Sequence, residues 1–141
     1  METVTSTVHL KWIEATLMAG MDSRGRTLVI GTDQQADPQW LGVKASDLLL
    51  LAAASCSTYD VINILTKQRE LVQHLEVVCS GEQNKEAPHA FVSLHLHYIV
   101  SGPVDPQKLE KAIHLSEDKY CSVVNTLRPT VKITHDYEIK P

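Results

Sequence analysis

From Val8 onward, apolar and polar residues alternate, with Val8, Leu10 and Trp12 on one face and His9 and Lys11 on the other. That period of two predicts a half-buried strand. A second strand is expected over Ala15 to Met21. Asp22-Ser23-Arg24-Gly25 then supplies turn chemistry, and Arg26 to Thr32 returns as a strand with Leu28 and Ile30 on one side. The simplest reading is a three-stranded antiparallel start. Asp33 to Lys44 is a polar loop with Pro38 and Gly42, in which Trp40 is read as a staple.

The period then changes. Ser46 can cap a helix, Asp47 suits its positive end, and Leu48 to Arg69 contains neither Gly nor Pro. Leu48 to Cys56 is apolar or small on every side, so this helix is expected to be buried all round. A sheet covers only one side of it, which leaves the other for a partner subunit. Strands resume with Leu75, Val77 and Cys79 on one face. A further strand runs from Ala90 to Val100, with Val92, Leu94, Leu96, Tyr98 and Val100 inward and Ser93, His95 and His97 outward. Asp105-Pro106 opens a second helix as a capping residue followed by proline, with Leu109, Ala112 and Ile113 as its apolar stripe. Around Ser116 the chain is expected to break and restart as a short helix carrying Tyr120, Cys121 and Val124, ended by Arg128-Pro129. A final strand alternates Val131, Ile133 and Tyr137 against Lys132, Thr134 and Glu138. The fold class is therefore α+β, in one domain over residues 1–141.

Composition narrows the function. A formal net charge of -4 and the lack of a Lys/Arg run argue against nucleic-acid binding. Met1 to Thr7 is polar and does not read as a signal peptide, and the apolar run Leu48 to Ala54 is too short to span a bilayer. A cytoplasmic location is expected, where thiols stay reduced. Three cysteines, Cys56, Cys79 and Cys121, lack metal-type spacing.

A thiol peroxidase needs one thiolate to attack peroxide and a second thiol to close a disulfide. Cys56 lies in the helix among Ala54, Ser55 and Ser57; Cys121 lies near a helix start, where the dipole favours a thiolate. Against this stands the ordinary role of free cysteine as a small buried hydrophobe, which is the reading for Cys79. Arg69 is about 20 Å beyond Cys56 on the same helix, too far to activate it. Asp60, one turn away, opposes a thiolate unless it is itself paired.

Ala45 to Val61 around Cys56, Leu65-Thr-Lys-Gln-Arg69, and Lys119-Tyr-Cys121-Ser-Val resemble the two cysteine motifs of the OsmC/Ohr superfamily (osmotically induced protein C; organic hydroperoxide resistance). Glu86-Ala-Pro88 and the ending Ile133-Thr-His-Asp-Tyr137-Glu are similar to its YhfA-like branch. The resemblance runs from about Val8 to Ile139. It implies an OsmC-like fold in which antiparallel sheets surround a long buried central helix within an intertwined homodimer. It also implies reduction of organic hydroperoxides, with Cys56 attacking, Cys121 resolving, a dithiol as reductant and no cofactor. Active members carry a Glu ten residues before the first cysteine; here that place is Ser46, followed by Asp47. They also carry an Arg on an N-terminal strand. Glu14 to Met18 has none, which leaves Arg24 and Arg26 in the following turn as possible supports.

His95-x-His97 is a possible metal pair, but an exposed polar face explains it more simply. Ser55, Ser57 and Thr58 lack the glycine-flanked elbow of a hydrolase. Two functions remain. One is the thiol peroxidase. The other is a non-peroxidase protein that binds a small apolar ligand at the dimer interface, for which Cys56 should titrate near or above about 8.5.

Overall fold

The computed structural model describes residues 1–31 and 42–141. Most of the expected loop, including Pro38 and Trp40, lies outside the described residues. The chain forms two compact units, Met1–Leu49 and Leu50–Pro141.

The first unit holds β1 (His9–Glu14), β2 (Leu17–Met21) and β3 (Thr27–Gly31), an antiparallel sheet in chain order. The β1–β2 register shifts between Trp12 and Glu14, and Trp12 Nε1 donates to the Ala15 carbonyl across the turn at 2.7 Å. The Asp22 carboxylate ties the β2–β3 turn by accepting from the Arg24 and Arg26 amides at 2.8 and 2.9 Å. Gly25 takes a φ of 85° there, a left-handed conformation that glycine adopts without strain. β1 departs from the sequence reading. It is exposed along its whole length, with Leu10 at 64% and Trp12 at 67%, not half-buried. Alternation sorts side chains onto faces but does not supply the surface that covers one of them.

The second unit contains β4 (His74–Gln83), β5 (Phe91–Ser101) and β6 (Lys132–Lys140), in the order β4-β5-β6. β4 and β5 pair antiparallel, but β6 runs parallel to β5. This sheet is therefore mixed, where antiparallel sheets were expected. The reason lies in the β5–β6 connection, which is long enough to carry α2 (Pro106–Leu115), a π-helical turn (Ser116–Tyr120) and α3 (Ser122–Leu127). Crossovers of that length are what parallel neighbours require.

α1 (Ala45–Lys67) begins at Ala45, so Ser46 lies within the first turn and is not its cap; Asp47 sits in that turn as expected. The helix ends with Arg69 at a φ of 60°, the Glu70 amide donating to the Leu65 carbonyl and the Arg69 amide to Thr66. That is the Schellman closure of a helix. By length and composition α1 could cross a bilayer. Its face of Ala53, Ala54, Ser57, Val61 and Leu65 is instead committed to a protein core. The opposite side, with Leu51 and Tyr59, is exposed in the single chain, which corrects the expectation of burial all round for this subunit alone.

β5 supplies the other half of that core. Leu94, Leu96, Tyr98 and Val100 are fully buried, alternating with half-buried Ser93, His95 and His97. Val92, expected inward, is exposed. Leu109, Ala112 and Ile113 of α2 and Val124 of α3 complete the cluster. α2 starts as its sequence predicts: Asp105 accepts from the Gln107 amide at 2.8 Å, and Pro106 follows it.

Candidate redox site

Where a break was expected at Ser116, the helical path widens. The Cys121 amide reaches back five residues to the Ser116 carbonyl at 2.7 Å, and the chain leaves the π turn at Cys121 with extended backbone. Cys121 thereby becomes the N-cap of α3, its Sγ accepting from the Val124 amide at 3.4 Å. The remaining amides of that first turn have no partner within the helix.

Half-buried Cys56, on α1, occupies this place, with Sγ 3.9 Å from Ser122 Oγ. Burial pushes its thiol up, but the Val123 amide, the Cys121 thiol and the Ser122 hydroxyl and amide outweigh it. The net effect holds Cys56 below the ordinary thiol value. Cys121 goes the other way. Full burial and the adjacent Cys56 push it up to about 11, against the opposing Val124 amide. The helix start expected to activate Cys121 thus favours ionisation of Cys56, while burial opposes ionisation of Cys121. All three cysteines are free thiols. Cys79, on β4, packs against the core, and burial raises its pKa.

Among the described residues Asp60 meets a hydroxyl and not a cation, so the opposition to a Cys56 thiolate expected from the sequence is not removed by an ion pair. Its Oδ2 accepts from Ser116 Oγ at 2.8 Å, and Ser116 Oγ also lies 3.2 Å from Ser57 Oγ. Ser57 in turn hydrogen-bonds the hydroxyl of buried Tyr98. The other proposed supports are placed differently. Asp47 is exposed in the first turn of α1 and, nine residues before Cys56, lies about 13 Å from it along the helix axis. Arg24 and Arg26 are exposed in the β2–β3 turn, where their backbone amides meet Asp22. The groups that lower Cys56 are amides, a hydroxyl and a thiol, not the cation sought in the sequence. The one sequence signal for them was the expected helix start beside Cys121.

One turn beyond Cys56 a groove of about 400 Å³ opens along α1, with Asp60, Ile64 and Gln68 on one side and Leu115 and Tyr120 on the other. His95 and His97 lie on the outer sheet face as expected. There Asp136 Oδ1 is 2.8 Å from His95 Nε2 and 2.6 Å from His97 Nδ1. Among the described residues, a different group has a metal-type donor set: Glu110, His114 and His135.

Residues 36–136 match the family described as OsmC-like protein. The chain is 35% identical over 133 residues to protein YhfA of Escherichia coli K12, a match covering 93% of this chain and 96% of that one. A hypothetical protein from Aquifex aeolicus VF5 has a similar structure, with a TM-score of 0.84 at 26% identity over 99% of this chain and 100% of the other. An organic hydroperoxide resistance protein OsmC from Legionella pneumophila shares the fold, with a TM-score of 0.71 at 11% identity over 98% and 99% of the two chains. With most of its length matched by the family and aligned to YhfA, the chain belongs to the OsmC-like protein family.

Proposed function

We propose that this protein is a thiol-dependent peroxidase that reduces organic hydroperoxides. The observation that carries the reading is the pairing of a depressed Cys56 with a raised, proton-donating Cys121 at the start of α3. In the proposed cycle the Cys56 thiolate attacks the outer peroxide oxygen, and the O–O bond breaks. The leaving alkoxide takes the Cys121 proton and departs as the alcohol, leaving a sulfenic acid on Cys56. The Cys121 thiolate then attacks that sulfur, the disulfide forms, and hydroxide leaves and is protonated to water. The peroxide gains two electrons and the two thiols lose them. An external dithiol restores both thiols by exchange through a mixed disulfide.

Both units are read as parts of one OsmC-like domain, since the family match spans their boundary. The working form is proposed to be a homodimer, because α1 exposes Leu51 and Tyr59 and β1 exposes Leu10 and Trp12. Three free thiols suit a reducing compartment such as the cytoplasm. The groove along α1 favours the second reading, a protein that binds a small apolar ligand. A lowered Cys56 pKa is not expected of that reading, and it favours the peroxidase.

The test is turnover of cumene hydroperoxide with a dithiol reductant. Cys56→Ser should abolish it, and peroxide treatment of the parent should yield a Cys56–Cys121 disulfide. Equal consumption by Cys56→Ser would overturn the proposal.

A further inference from the structure

Glu110 and His114 lie four residues apart on α2, and thus on one helix face. β6 brings a third side chain to them. His114 Nε2 is 2.8 Å from Glu110 Oε1, and His135 Nε2 is 3.1 Å from the same oxygen. The three ligand atoms all lie within 4.8 Å of one another, and the two imidazoles meet edge to face with centroids 5.2 Å apart. His135 is held from behind: its Nδ1 lies 2.9 Å from Oε1 of Glu117, a carboxylate only 7% exposed at the start of the π turn. Among the described residues that buried oxygen makes no well-aligned hydrogen bond, and the His135 ring nitrogen is its ion-pair partner.

We propose that Glu110, His114 and His135 bind a zinc-type divalent cation, with Glu117 as the positioning carboxylate behind His135. The donor set decides the class of ion. Two imidazole nitrogens and one carboxylate oxygen suit zinc and its borderline neighbours, whereas magnesium and calcium favour oxygen ligands throughout. The geometry fits as well. Ligand atoms at about 2.0–2.1 Å from a tetrahedral ion are about 3.3 Å apart; the two spacings to Glu110, 2.8 and 3.1 Å, are close to that, and the third lies within 4.8 Å. A carboxylate behind the ligating imidazole fixes its tautomer and strengthens it as a donor. Three protein ligands leave the fourth position for water. The site joins α2 to β6, and no thiol belongs to its donor set.

The experiment is a titration of the reduced full-length chain with zinc ion against a chromophoric chelator, repeated with His114→Ala, Glu117→Gln, Cys56→Ser and His97→Ala. One equivalent should bind, and Glu117→Gln should weaken it by about 10- to 100-fold. His114→Ala should weaken it further; this exposed residue can be changed without disturbing the core. Cys56→Ser and His97→Ala should bind like the parent. Cobalt ion should give visible d–d absorption without a thiolate charge-transfer band, and zinc should raise the thermal midpoint of the parent but not of His114→Ala. Failure of the parent to bind, full binding by His114→Ala, or loss of binding in Cys56→Ser would each overturn the proposal.

Discussion

Cys56 Sγ lies 3.9 Å from Ser122 Oγ, a residue 66 positions later in the chain, and so faces the opening turn of α3. A helix start offers partnerless amides and a positive dipole end, both of which favour a thiolate. Here the beneficiary sits on a different helix from the one that provides them.

The alkylation rate of Cys56 should therefore rise with pH around a midpoint below that of an ordinary thiol, while Cys121, pushed up to about 11, stays protonated across that range. Cys56 should react at neutral pH much faster than Cys121. Cys121→Ala removes a hydrogen-bond donor to the thiolate, so the Cys56 midpoint should move up. Iodoacetamide labelling across pH, read by mass spectrometry, checks both; a midpoint unchanged in Cys121→Ala would contradict the assigned donor.

With one equivalent of cumene hydroperoxide, the parent should lose two hydrogens as the disulfide closes. Cys121→Ala should instead gain a single oxygen on Cys56 and stop there, because no neighbouring thiol remains to displace it. Intact-mass spectrometry distinguishes the two products. A disulfide to Cys79 in either protein would count against Cys121 as the resolving thiol.

Ser57 hydrogen-bonds the hydroxyl of Tyr98, and both residues are fully buried. Ser57→Ala should cost about 1–3 kcal/mol, since it leaves that hydroxyl without this partner. Tyr98→Phe should cost less, because it removes the hydroxyl itself and leaves Ser57 with Ser116. Urea unfolding of the two variants tests the order, and a larger loss in Tyr98→Phe than in Ser57→Ala would contradict it.

If the bare side of α1 is a subunit interface, Leu51→Glu combined with Tyr59→Glu should convert a dimer to a monomer. These residues are 56% and 71% exposed in the single chain, so their charges are solvated when the subunits separate. Light scattering reads the mass directly. A parent that is monomeric at micromolar concentration would remove the basis for the expected dimer.

Local pattern carried the element types. Alternation located β5, the Asp105-Pro106 pair located the start of α2, and the absence of Gly and Pro through Leu48 to Arg69 marked α1. Each depends on neighbours within a few residues, so each is written in consecutive positions. The cysteine motifs likewise pointed to the right family.

Packing between distant segments settled the rest. Alternation placed Leu10 and Trp12 on one face of β1, but both are exposed. The direction of β6 followed from the helices in its connection, which bring the chain back parallel to β5. The parity of β6 puts His135 on the inward face with Ile133 and Tyr137, a signal the sequence reading passed over. Its meeting with Glu110, His114 and Glu117 required α2 and the π turn to dock there. The sequence singled out Cys56 and Cys121. The resemblance had already implied that Cys56 attacks and Cys121 resolves; the opposite directions in which their surroundings push the two thiols rest on burial and on contacts with the start of α3, because a pKa is set by the surroundings of a group and not by its neighbours in the chain.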